Sequence, residues 1–259
     1  MSTSSVPLSC VVIVRDAAHQ IEPCLASAAF ADEIVVVDSG STDATREIAR
    51  RLGARVIAHD WEGYGPQKRY AVAQAKHDWV LCLDADERVT PALRDSIARM
   101  RAAPAHQAYR LNRCNRFLGR YLRHGEGYPD RILRLFHRAH AEWSTDLVHE
   151  KVNASCTVGD LEGDLLHESA DTLAAYLDKQ NRYTTLQAQI MHRAGKRFAA
   201  GQMILSPLAR FVKFYLLRRG FLDGVPGLVH TAIGCANSFT KYAKLLEIER
   251  RHNSPDDKN

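Results

Sequence analysis

The sequence predicts an α/β protein with a doubly wound, mostly parallel sheet, and three observations carry that reading. Short apolar runs at Leu8–Val14 and residues 33–37, 55–58 and 78–83 alternate with helix-like stretches through the first hundred residues. Three of these runs end in carboxylates: Asp16 follows the first, Asp38 the second, Asp84 and Asp86 the fourth. No Gly-x-x-x-x-Gly-Lys and no Gly-x-Gly-x-x-Gly occurs in this half, which disfavours a P-loop NTPase and a standard dinucleotide dehydrogenase. Strands in βαβ units are parallel with right-handed crossovers, so the four acids are expected along one edge of the sheet. Ligands of open α/β sheets bind beyond that edge.

Each element has its own signal. Leu8 to Val14 is a buried strand, and a helix follows from about residue 19 to 30, with Ile21, Leu25 and Ala28 on one face. The second strand leads into Asp38-Ser39-Gly40-Ser41-Thr42-Asp43, small and hydroxylated residues that permit close approach of a ligand. Asp43 is the expected N-cap of the next helix, and Gly53 its terminator. Residues 55–58 form a short third strand and residues 66–76 a third helix. Thr90-Pro91 opens a fourth helix, with Thr as cap and Pro in the first turn.

The stretch Val80-Leu81-Cys82-Leu83-Asp84-Ala85-Asp86-Glu87 organises the rest. An Asp-x-Asp at a strand end suits a hard divalent cation, Mg²⁺ or Mn²⁺, which takes oxygen ligands from protein and phosphate together. A lone Asp-x-Asp is also the ordinary acidic start of a helix. Two further acid-terminated strand ends make decoration the weaker reading.

Composition narrows the field. Of the 259 residues, 46% are hydrophobic and 25% charged, as in an ordinary globular protein, and the formal net charge is +5. That excess favours anionic partners without choosing among them. The six cysteines form no Cys-x-x-Cys pair and read as free thiols of a reducing compartment. No signal peptide and no membrane-spanning stretch is apparent.

The motifs Val35-Val36-Val37-Asp38-Ser39-Gly40-Ser41-Thr42-Asp43, Gly65-Pro66-Gln67-Lys68 and Leu83-Asp84-Ala85-Asp86-Glu87-Arg88 resemble those of family 2 glycosyltransferases of the GT-A fold. Later segments, from Asp130 to Phe136, Val148-His149-Glu150 and Gly220 to Gly224, resemble the lipopolysaccharide core β-1,4-glucosyltransferase subgroup. The likeness runs from about Leu8 to Leu246. It implies an inverting, metal-dependent transfer of a hexose, glucose from UDP-glucose, to a lipid-linked inner-core sugar. In that reading Asp38, with Ser39 beside it, binds the base, Asp84 holds ribose or reaches the metal through water, and Asp86 is the direct metal ligand. Lys68 lies near the nucleotide. The subgroup's usual Lys-Asn-Glu-Glu after the first strand is here Arg15-Asp16-Ala17-Ala18, so Asp16 stands in for one acid and the second is missing.

The resemblance divides the chain into a GT-A domain over residues 1–168 and a C-terminal helical extension over 169–259. The nucleotide-sugar half of the first covers about 1–101, the acceptor half about 102–168. An inverting transferase needs a carboxylate to take the acceptor's proton. Glu150 and Asp130 are the candidates, and for each the competing role is an ion pair with one of the many arginines. The arginines at 110, 113, 116, 120, 123, 131, 134 and 138 make a basic band suited to phosphates and carboxylates of an acidic acceptor. No RNA-binding motif accompanies it, and nucleic acid is not expected. His149 is a candidate third metal ligand.

In the last third, a polar helix is expected from residue 170 to 194, and Pro207 is expected to open another. That helix carries Leu208, Phe211, Val212, Tyr215 and Leu216 on one face, and Phe214 and Leu217 beside Arg210 and Lys213 on the other. The second face suggests a peripheral protein on the cytoplasmic face of the inner membrane; packing on its own domain or in an oligomer is the competing role. A non-catalytic module that only binds a nucleotide sugar or glycan, or a transferase acting on another lipid-linked or cell-surface glycan, remains the alternative function.

Overall fold

The computed structural model describes residues 5–146, 150–168 and 172–253. Two units make up the chain: residues through Cys114 with Asp130–Glu168, and Asn115–Pro129 with Ser169–Asn259.

The first unit begins with β1 (Leu8–Val14), α1 (Ile21–Ser27), β2 (Glu33–Asp38), α2 (Thr45–Arg51), β3 (Arg55–Ala58), α3 (Tyr64–Ala73) and β4 (Trp79–Asp84). β1 pairs parallel with β2 and β4, and β2 parallel with β3. The sequence expected this alternation. Val11, Val35, Val37 and Val80 pack on one side of the sheet with Ala71 of α3. Leu8, Cys10 and Val12 pack on the other with Ile21 and Leu25 of α1. Burial on both faces is why these strands read as continuous apolar runs.

One helix start differs from expectation. Asp43 does not cap α2, which begins at Thr45 after Ala44. Its carboxylate accepts the backbone N–H and the hydroxyl of Thr45, and its other oxygen accepts the N–H of Ala18. Asp43 therefore ties the loop after β2 to the loop after β1. A short strand unforeseen from the sequence, β5 (Glu87–Val89), precedes α4 (Pro91–Ala102). Thr90 caps α4 as expected, its hydroxyl accepting the Leu93 N–H at 3.3 Å, a bond worth about 1 kcal/mol.

Beyond α4 the sheet turns antiparallel. β6 (Ala108–Phe117) pairs with β8 (Asp130–His137), and β8 with β4; between β6 and β8 in sequence lies β7 (Arg120–Tyr121), in the second unit. A separate ribbon joins β9 (Ala141–Trp143) to β10 (Val152–Ala154). β11 (Val158–His167) pairs antiparallel with β5, setting His167 opposite Glu87. Gly65 shows how closely the ribbon approaches α3. A Cβ there would clash with the carbonyls of Ser144 and Asp146, and the Gly65 N–H donates to the latter at 3.1 Å.

The second unit contains α5 (Leu173–Arg193), α6 (Ala200–Phe211) and α7 (Gly224–Asn253), with α7 packed on both others. Pro207 lies inside α6 instead of opening a helix. Its missing hydrogen bond costs about 3 kcal/mol, which packing on α7 offsets. Residues Val212–Leu217 form a π-helical turn, in which the Arg218 N–H reaches back to the Lys213 carbonyl at 2.9 Å. Such a turn re-phases the helix, and the face expected for the membrane is altered by it. The Phe214 ring is half-buried beneath the cations of Arg210, Lys213 and Arg218. Arg210 donates to Glu126 and Ser238 within the unit. The outward apolar stripe is instead Ile204, Leu205, Leu208, Val212 and Leu216, with Leu217 beyond it. Among the described residues, no helix is long and apolar enough to cross a membrane.

Candidate active site

The parallel register fixes the site's edge. Val14 lies opposite Asp38 and Ile13 opposite Asp84, so the acids following β1, β2 and β4 emerge at one end of the sheet. A cavity of about 620 Å³ opens there. Asp16, Lys68, Asp84, Asp86, Glu150 and His167 all line it.

Asp16 is held in the left-handed region at φ +50°. Its carboxylate accepts the N–H and hydroxyl of Thr42, and its own N–H donates to Ser41 Oγ. The Thr42 N–H is the chief reason its pKa lies below the ordinary carboxylate value. The strained backbone is thus over-determined by the loop facing it.

The centre is an ion-pair network around Asp84. Lys68 of α3, itself buried, places Nζ 3.0 Å from Asp84 Oδ1 and 2.8 Å from Glu150 Oε1. Arg134 of β8, also buried, donates to Asp84 Oδ2 at 2.6 Å and to Glu87 at 3.3 Å. Burial opposes charging Asp84, but Arg134 and Lys68 outweigh it and hold the carboxyl well below its usual range. Burial pushes the Glu87 carboxyl up, against the pull of Arg134. Glu87 also accepts the Asp84 N–H at 2.9 Å, fixing the start of the acidic turn.

Asp86 differs from Asp84. It has no lysine or arginine partner among the described residues, and its contact is His167 Nε2 at 3.1 Å. Burial lowers the imidazole's pKa, yet the hydrogen bond and charge of Asp86 raise it net.

Other sequence-singled residues lie elsewhere. Asp38 is fully buried, its Oδ1 accepting the N–H groups of Gly40 and Ser41 and its Oδ2 without a hydrogen-bond partner. Ser39 accepts from Gln67. Neither is among the lining residues of the cavity, nor is Asp130, which is gripped by Arg113 at 2.8 Å. His149 lies outside the described residues. Sequence reasoning missed His167 and gave Arg134 no individual role. Arg134 left a trace, a charged residue in an alternating apolar strand. His167 left none, because its place depends on the β5–β11 pairing of segments far apart in the chain.

The Asp86 carboxylate, with Asp84 engaged by two cations, fits a hard cation that draws its remaining ligands from a diphosphate and water, and His167 could join it only by giving up its hydrogen bond to Asp86. Among the described residues, no cluster of three or more acids, histidines and cysteines forms a complete metal cage.

The model of the family Glycosyl transferase family 2 matches residues 9–152. An uncharacterized glycosyltransferase of Rickettsia typhi is 30% identical over 229 residues, covering 84% of this chain and 78% of the relative. The lipopolysaccharide core biosynthesis glycosyltransferase LpsC of Rhizobium meliloti is 29% identical over 249 residues, 93% of this chain and 92% of its own. The structure of S. aureus TarS 1-349 with UDP-GlcNAc is similar at a TM-score of 0.49, with 15% identity over 96% of this chain and 93% of that one. The chain belongs to glycosyltransferase family 2 and is a glycosyltransferase.

Proposed function

We propose that the protein transfers a hexose, glucose from UDP-glucose, to an inner-core sugar of lipopolysaccharide, with inversion at the anomeric carbon and with bound Mg²⁺ or Mn²⁺. The acceptor class rests on the likeness to LpsC along most of both chains. The observation that carries the chemistry is one cavity lined by both Asp86, which has no lysine or arginine partner among the described residues, and Glu150, braced by Lys68.

Asp86 and His167 are the residues that would hold the metal, with Asp84 reaching it through water. The metal supplies Lewis-acid stabilisation of the departing diphosphate. Asp16 and Lys68 flank the nucleotide. The orphan Oδ2 of Asp38 is an acceptor that a base N–H would satisfy, because buried polar atoms rarely stay unpaired. Glu150 is the base. Its contact with Lys68 orients the carboxylate at the cavity wall, and positioning of this kind is itself a large part of catalysis. Asp130, occupied by Arg113, serves structure.

The test measures UDP release from UDP-glucose with Mn²⁺ and inner-core oligosaccharide, alongside UDP affinity by calorimetry. Glu150→Gln is expected to lose turnover steeply and keep UDP affinity, with Asp130→Asn much less affected. The reverse pattern makes Asp130 the base. Thermal shifts across UDP-, GDP-, ADP- and CMP-sugars test the donor, since a specific ligand stabilises the fold by mass action; UDP-glucose is expected to give the largest.

A further inference from the structure

A second cavity of about 340 Å³ adjoins the first, and Glu150 lines both. Its volume lies in the range of small-molecule sites, about 300–1,000 Å³. Ile132, Leu133, Trp143 and Val152 supply apolar wall. The polar lining apart from Glu150 is cationic: Arg113, Arg131, Arg134 and Lys151.

These cations are unequally neutralised. Arg134 belongs to the Asp84–Glu87 network, and Arg113 is matched by Asp130. Among the described residues Arg131 has only a share of Asp160, at 3.3 Å, because Arg110 holds both oxygens of that carboxylate at 2.8 and 3.1 Å. Lys151 has no ion-pair partner among the described residues. Its backbone is nonetheless fixed, by reciprocal hydrogen bonds with Ser144 at 2.8 and 3.1 Å. Surplus positive charge on an anchored backbone, beside an apolar wall, is the chemistry of a site for an anionic sugar. A guanidinium grips carboxylate or phosphate with paired hydrogen bonds.

We infer that this cavity binds a carboxylate or phosphate carried by the acceptor, next to the hydroxyl that faces Glu150. The inference rests on the transfer reading above and assigns its acceptor a charge. Arg131 and Lys151 then select acceptors by that charge, and neutral sugars are poor substrates.

The experiment uses the full chain saturated with UDP and Mn²⁺, so that the first cavity's anion site is filled. Mannose 6-phosphate, glucuronic acid and mannose are titrated separately by calorimetry, into wild type and into Arg131→Gln plus Lys151→Gln. Both side chains are exposed, and an unchanged thermal transition verifies folding. At least one charged sugar is expected to bind tenfold or more tightly than mannose and to lose that advantage in the double variant, with UDP affinity unchanged. Preference for mannose 6-phosphate identifies a phosphate, and preference for glucuronic acid a carboxylate. Equal binding of charged and neutral sugars, or undiminished preference in the double variant, overturns the inference. Failure of the wild type to bind UDP overturns the transfer reading instead, which separates the two.

Discussion

Arg134 Nη2 sits 2.6 Å from Asp84 Oδ2, tying the strand that ends in the acidic motif to the antiparallel strand beside it. Arg134, itself buried, is the cation shared by the fully buried Glu87 and the partly buried Asp84. Arg134→Met leaves both carboxylates short of charge, and breaking a buried pair this way costs about 3–5 kcal/mol. A large fall in the thermal unfolding midpoint is expected, partly recovered by adding Glu87→Gln. A variant as stable as wild type means the network does not depend on this cation.

Asp86→Asn acts differently, because Asp86 is only partly buried and lies outside the lysine–arginine network. Turnover is expected to drop on the order of 10²-fold or more, as when a transition-state charge stabiliser is lost. The unfolding midpoint should scarcely move. Full activity in Asp86→Asn removes it as metal ligand, and calorimetric titration of Mn²⁺ into the UDP complex gives a check independent of turnover.

Much of this was legible in the sequence for a definite reason. The β1–β4 half uses local signals: apolar runs, a Thr-Pro helix start, and carboxylates at strand ends whose common edge follows from parallel topology. Asp16, Lys68, Asp84, Asp86 and Glu150 do meet in one cavity. His167 could not be read, because it reaches Asp86 through a pairing with no local signature. Of the face expected outward on the helix from Pro207, Leu217 is exposed but Phe214 is half-buried against three cations, because a π-turn from Val212 breaks the 3.6-residue period on which that face is drawn.

Glu33 offers a pH test remote from the site. Its carboxylate accepts the Ser9 hydroxyl, the Lys76 N–H and Arg55. Burial pushes its pKa up, but these donors outweigh burial and leave it lowered. The ionised form is therefore favoured in the folded state. Its stabilisation is complete above the usual carboxylate pKa and fades as pH falls through the lowered value. Glu33→Gln should be less stable than wild type at pH 7, with the gap closing in acid. Denaturant midpoints across that range check it, and a gap constant with pH assigns the loss to shape, not charge.

The second unit carries an exposed apolar stripe. Ile204, Leu205 and Leu208 are 66%, 63% and 59% exposed, and Leu217 is 75% exposed. A contiguous apolar surface of this kind marks an interaction site. Lys213, Arg218 and Arg219 stand exposed beside it, and cations near an anionic bilayer contribute about 1 kcal/mol each, screened by salt. We propose that this stripe rests on an anionic bilayer surface, which would bring the lipid-linked acceptor proposed above within reach. Leu205→Ser plus Leu208→Ser changes exposed side chains only, unlike changes at Phe214, whose ring is stacked against three cations. Co-sedimentation with anionic vesicles is expected for wild type, reduced in high salt and weakened in the double variant, with little binding to neutral vesicles. If vesicles are ignored and the double change instead dissociates a dimer in sedimentation velocity, the stripe is a contact between two copies of the chain and the membrane assignment fails.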